Sequence, residues 1–418
     1  MSNLWSDGWR GPRRDAHLHQ DWRQTQVQRE GVPGQYQQGR YSLNPVLKGK
    51  ALVNGLCSGA GTTSLTQAPM DAANIAVIEP MGNMVYDHVI PVDHEYYYGA
   101  NPNAPANSYP VYATANGEID AVGVNYHNGP DPLPAWYVTL SHTCTFFTQY
   151  NLLTSLSPQV MAELPKGWNA QNTGNVHIRV TSGEIIGYDG GQSLDFSVMN
   201  TAVTNSGYLN PTAYNNFDAQ YVNTVTPYGY FSPAVQSQIL PKYERSNAPI
   251  DGRIGYDVKG EAVGNWFVAG SKNVNNGIVD PSATQTNFLS LSYNYIDPSA
   301  QMVSIYNYQG QPSQFVVTNA IDWTKITVAS GPVMIQLGKP SFQPNYTGTT
   351  VVPGLKLVPS GPTLATALVQ MTGPEDMKFQ MFPGLTPAQV TGFTSSAVLY
   401  DRGQHAKKST TQSSASNG

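Results

Sequence analysis

Short apolar runs, each closed by Gly, Asn or Pro, recur along most of this chain and restrict it to folds assembled from short strands. PVYATANGEIDAVGV, AWYVTLSHTCTFFTQYNLL and NVHIRVTSGEIIGYDGG are typical. β-Branched and aromatic side chains suit a pleated surface, and Asn-Gly and Gly-Gly supply the positive-φ corners of tight hairpins. The best helical candidate is SLSPQVMAELPKGW, one or two turns with Pro158 near the start, where its missing N–H costs nothing.

Charge sets limits on partners. Charged residues are 12% of the 418, about half the usual ~25%, and the net charge of −5 is scattered. No extended basic face for a phosphate backbone results, so nucleic-acid binding is excluded. Arg10, Arg13, Arg14, Arg23, Arg29 and Arg40 gather in the first forty residues, together with Trp5, Trp9 and Trp22. That segment has no apolar period of its own and reads as an extended arm, either solvated and flexible or packed onto a neighbour. The first thirty residues lack an apolar leader core, and no run of about 18 apolar residues occurs. The expectation is a chain without a membrane span or a Sec leader. Cys57 and Cys144 are the only cysteines; they allow one bridge and do not decide whether it forms.

The expected organisation is an extended polar arm over 1–44, a compact antiparallel β domain over 45–198, and an irregular Tyr/Asn/Pro-rich connector over 199–249. A second antiparallel β domain, barrel or sandwich, follows over 250–401, and a Ser/Thr/Gln tail over 402–418. The second domain is read from GNWFVAG, FLSLSYNYID, QMVSIYNY, QFVVTNA, KITVASGPVMIQLG and LATALVQMTG. IDGRIGYDVKGEAVGNWF reads as a tight hairpin at its entrance, since its glycines do not close a strand-to-helix turn of the nucleotide-binding kind.

Three landmarks in order carry a family resemblance. PVYATANGEIDAVG, AWYVTLSHTCTFFTQYNLLTSLSP and VTSGEIIGYDGGQSLDFSV together resemble the lysostaphin-like zinc endopeptidases over about residues 85–198. In that family the last segment leads into H-L-H-F; here the four residues are Ser193, Leu194, Asp195 and Phe196. The family's Y-x-H-L histidine falls near Tyr150, Asn151 and Leu152. Its H-x-x-x-D pair falls in DHVIPVDHEYYYG, where His88 and Asp93 are five apart rather than four, and either Asp93 or His94 takes the aspartate's place.

The resemblance therefore implies a β scaffold whose chemistry has been rewritten. Hydrolysis of that type needs a zinc-bound water and histidines that move protons and stabilise the oxyanion, each worth ~10²-fold or more. His88, His94 and Asp195 would be the zinc ligands if metal binding survives, with Asp93, Asp87, His142 and Ser193 around them. The alternative is a buried polar strand with no metal. The expected function is a non-catalytic structural or binding component of an extracellular or virion-like assembly, through self-association or other proteins. A divergent zinc peptidase or cell-wall hydrolase is one alternative. A glycan or peptide binder with Tyr96, Tyr97 and Tyr98 as stacking platforms is the other. His17 and His19 in A-H-L-H are taken as chance, and His127, His177 and His405 as structural or exposed.

Overall fold

The computed structural model describes residues 47–86, 88–126, 134–169, 176–214, 221–270 and 287–403. The arm expected over 1–44 lies outside them, as do the tail beyond Gly403 and the residues His17, His19, Asp87, His127 and His405.

The chain is mainly β and antiparallel, as its turn-punctuated runs require. It enters through a small hairpin, β1 (Ala51–Val53) and β2 (Leu56–Ser58). The first domain is an eight-stranded sheet and a three-stranded one. The large sheet uses β3 (Ile75–Glu79), β4 (Glu95–Gly99), β6 (Gly117–Tyr126), β7 (Pro134–Thr143) and β8 (Phe146–Leu153). To these it adds β10 (Ile178–Val180), β12 (Ser193–Asn200) and β13 (Thr224–Val225). Its order is β10-β6-β7-β8-β12-β4-β3, with β13 against β12. The smaller sheet sets β5 (Tyr109–Tyr112) and β9 (Ser155–Leu156) either side of β11 (Ile185–Asp189). PVYATANGEIDAVG is thus split between two sheets rather than forming one strand pair. Gly117 does not turn there; a Cβ on it would meet Ser141 O at 2.6 Å, so it permits close strand approach.

Alternation decides which face of the large sheet is core. Val138, Leu140, Tyr150, Leu194, Phe196, Val198 and Tyr97 point one way into a shared apolar cluster. Tyr97 and Tyr150 pack on Phe196 at centroid distances of 5.8 and 5.3 Å. Asp195, Ser193 and Ser197 therefore point the other way.

The helix expected at Pro158 is α1 (Pro158–Glu163), capped by Ser157, whose Oγ accepts the Val160 N–H. A second Ser-Pro start, Ser232 and Pro233, opens α2 (Pro233–Ile239) inside the connector. Phe231, Val235, Ile239 and Tyr243 join the core of the first domain. The rest of the connector is Tyr-packed, with Tyr208 and Tyr214 at 4.6 Å and Tyr214 near Phe267 at 5.5 Å.

The second domain is a closed barrel of eight antiparallel strands. They are β14 (Gly264–Val268), β15 (Phe288–Tyr293), β16 (Gln301–Tyr308), β17 (Gln311–Val317), β18 (Val333–Gln343), β19 (Lys356–Gly373), β20 (Asp376–Pro383) and β21 (Val398–Asp401). Pairing of Phe267 with Asp401 and of Val268 with Tyr400 closes it, which leaves no open edge. Leu289 and Leu291, Val303 and Ile305, Ile335 and Leu337, and Met377 and Phe379 fill the interior at period two. Two expectations fail here. KITVASGPVMIQLG is a strand only from Val333, since 323–330 form two short 3-10 turns. IDGRIGYDVKGEAVGNWF is not a hairpin; β14 pairs with β15 and β21.

Candidate functional site

The polar face of the large sheet brings residues of β12, β8 and β4 together. Asp195 on β12 lies directly across from Tyr96 on β4 and from Asn151 on β8. Two residues before Tyr96, just ahead of β4, stands His94. Its ring contacts Tyr96 edge to face at 4.9 Å, and its Nε2 is 3.7 Å from Asp195 Oδ2. Nδ1 of the same ring is 3.1 Å from Asp93 Oδ1, so one imidazole bridges two carboxylates. Ser193 is buried on the same strand face as Asp195.

His88 comes close to His94 in a T-shaped contact, with centroids 6.1 Å apart. Burial, and then the charge of His94, push His88 down to about 3, so it is a neutral imidazole at ordinary pH. The zinc set expected from His88, His94 and Asp195 is not gathered. Among the described residues no three His, Cys, Asp or Glu side chains are grouped as a metal ion needs. The donor set and the group thus do not fit, although His94 and Asp195 meet.

Three other expected residues are misplaced. His142 is on the apolar side of the sheet, opposite Asp195. Its Nε2 is 2.9 Å from Thr148 Oγ1 and its Nδ1 3.0 Å from Asn116 O, and burial lowers it to about 4. It cannot orient a ligand on the polar face. Tyr96 and Tyr97 are buried and so offer no stacking platform. Tyr97 donates to Glu95 Oε2 at 3.1 Å within the core, and only Tyr98 of the three is part-exposed.

Two participants were not legible as such. Leu152 has φ 65°, a left-handed conformation costly for a leucine inside a strand. Gln192 Nε2 donates to the Leu152 carbonyl and pins it. Tyr208, from the connector, is buried with its hydroxyl unpaired among the described residues, as is Asp93 Oδ2. Burial first, then Tyr214, Tyr221 and Asp93, raise the Tyr208 phenol well above its ordinary range. Gln192 gave no signal beyond its place after Gly-Gly, and Tyr208 only its membership of a Tyr-rich stretch.

The two cysteines do pair. The Cys57–Cys144 bridge joins β2 to the turn between β7 and β8 across a sequence separation of 87. Glu118 holds the same hairpin: its fully buried carboxylate accepts the Gly55 N–H and faces His177 Nδ1, both at 2.8 Å. His177 is thereby structural.

Compared with family models and with curated proteins, the chain matches none.

Proposed function

We propose that this chain is a non-catalytic structural or binding component of an extracellular or virion-like assembly, built on a sheet resembling that of the lysostaphin-like peptidases. The observation that carries this reading is the make-up of the polar face. Asn151, Leu152 and Ser193 occupy the positions of the family's proton-moving histidines, and none of them exchanges a proton near neutral pH. Asp195 and His94 stand where the family has histidine and aspartate, and they are engaged with each other. A disulfide favours an oxidising compartment and so supports an extracellular setting. Low charge and an arm bearing three Trp support contacts with neighbouring subunits.

The alternative is a divergent zinc hydrolase, favoured by the 3.7 Å approach of His94 to Asp195. It requires His88 to join them. The full chain, supplied with zinc, is expected to leave glycine-rich peptides and peptidoglycan intact. Zinc-dependent cleavage that disappears in His94→Ala would overturn the non-catalytic reading.

A further inference from the structure

Away from the polar face, two buried acids, Glu79 and Glu244, lie where barrel meets sheet. β18 and β19 extend past the barrel as a ladder of Lys339–Gln343 against Lys356–Ser360, and they end in the irregular segment 344–355. That segment is fastened to the first domain at two carboxyls. Tyr346 donates its hydroxyl to Glu79 Oε1 at 3.0 Å. The Val352 N–H donates to both oxygens of Glu244, at 3.1 and 3.2 Å. Glu244 is itself tied to the sheet, because its N–H donates to Ile78 O at 3.1 Å. Phe342, Leu355 and Leu357 pack beside these contacts with Met84, Tyr295 and Ile296.

We propose that segment 344–355 is a pH-sensitive strap between the two β domains, fastened in mildly acidic solution and loosened as pH rises, with Glu244, beside Glu79, as its sensor.

Among the described residues the groups around Glu244 are acids, phenols and cations engaged elsewhere. From β3 it faces Glu79, which also accepts the Tyr295 hydroxyl at 3.3 Å. From the barrel it faces the phenols of Tyr295 and Tyr346. The nearby cations on its own segment are turned to backbone carbonyls. Lys242 Nζ reaches Ile75 O at 2.7 Å, and Arg245 Nη1 and Nε reach Tyr295 O and Asn247 O at 2.8 and 2.9 Å. Tyr243 gives its hydroxyl to Glu95, Asp251 accepts the Tyr228 N–H, and Asp297 is paired with Lys356. Among the described residues Glu244 has no ion-pair partner. Burial raises its carboxyl from 4.5 to about 7, the Val352 N–H opposing and the Glu79 charge adding.

The sign follows from linkage. The fastened form keeps its proton to about pH 7, whereas the released form loses it near 4.5. Fastening is therefore complete below about 4.5, weakens through the window between, and levels off above 7. Over that window the opening constant rises by up to about tenfold per pH unit. Amide hydrogen exchange of the full chain, corrected for intrinsic rates, reads it at Val352 and its neighbours. The wild type is expected to show an opening constant at least ~10-fold larger at pH 8 than at pH 5, and Glu244→Gln a flat profile. A wild-type profile independent of pH would overturn the proposal, and that measurement needs no variant to fold. An undiminished slope in Glu244→Gln would overturn it equally.

Discussion

His94 and Asp195, far apart in sequence, meet on the polar face of the large sheet with 3.7 Å between Nε2 and Oδ2. Both occupy positions that motif order alone brought together, since β12 and β4 are neighbours with Asp195 opposite Tyr96. What motif order did not convey was direction. Three successive tyrosines look like a platform, yet a strand sends alternate residues to opposite faces, so Tyr97 joined the apolar cluster while Tyr96 was buried on the polar face and only Tyr98 stayed part-exposed. The same rule put His142 on the apolar side, and that placement has a pH consequence. A histidine lowered to about 4 by burial binds its proton only in the unfolded chain between there and 6.5, so its contribution to stability is lost as pH falls through that window. Urea unfolding of His142→Gln is expected to lose about 2–3 kcal/mol less than wild type between pH 7 and 4.5. Equal losses in the two proteins would mean that His142 is not held neutral.

Elements were legible where turn chemistry and period agreed. Ser157 before Pro158 announced a short helix, and the runs at Leu289, Val303 and Ala367 announced strands. Ser232 before Pro233 carried the same helix signal but was lost within a stretch crowded with Tyr, Asn and Pro. Thr327 to Ser330 looked like a continuous strand with 333–338; a local capping box and Gly331 at φ 65° made it a turn instead. Barrel and sandwich were equally legible in the strand spacing, and the latch at Arg402 was not. This fully buried guanidinium stacks 3.6 Å over Trp266 and lies 2.8 Å from Asp257 Oδ1, which also accepts the Asn265 N–H. One cation thereby ties the end of β21 to the entrance of β14. Arg402→Ala is expected to cost about 3–5 kcal/mol, because Asp257 is left buried and uncompensated. Arg402→Ala, Asp257→Asn together should cost less than the single change; a larger cost in a double-mutant unfolding series would contradict the latch.

At the scale of the whole molecule, composition pointed to the mainly β class, whereas the joining of sheet and barrel had to be seen. The connector does not merely link. Its α2 and Tyr243 complete the first core, while Tyr208, Tyr214 and Tyr221 gather with Phe267 and Phe288 of the barrel. The parts so held are a sheet whose polar face carries Asp195, Ser193 and His94 and a barrel whose eight strands close on themselves. Under the proposed function the arm over 1–44, with six Arg and three Trp on a chain of net charge −5, is expected to make the contact. Sedimentation velocity of the full chain beside a variant lacking residues 1–40 tests this most directly. The account predicts that the full chain self-associates with rising concentration and that the shortened chain, still folded, sediments mainly as a monomer. A full chain that remains monomeric at high concentration, with a profile the deletion does not alter, would contradict it.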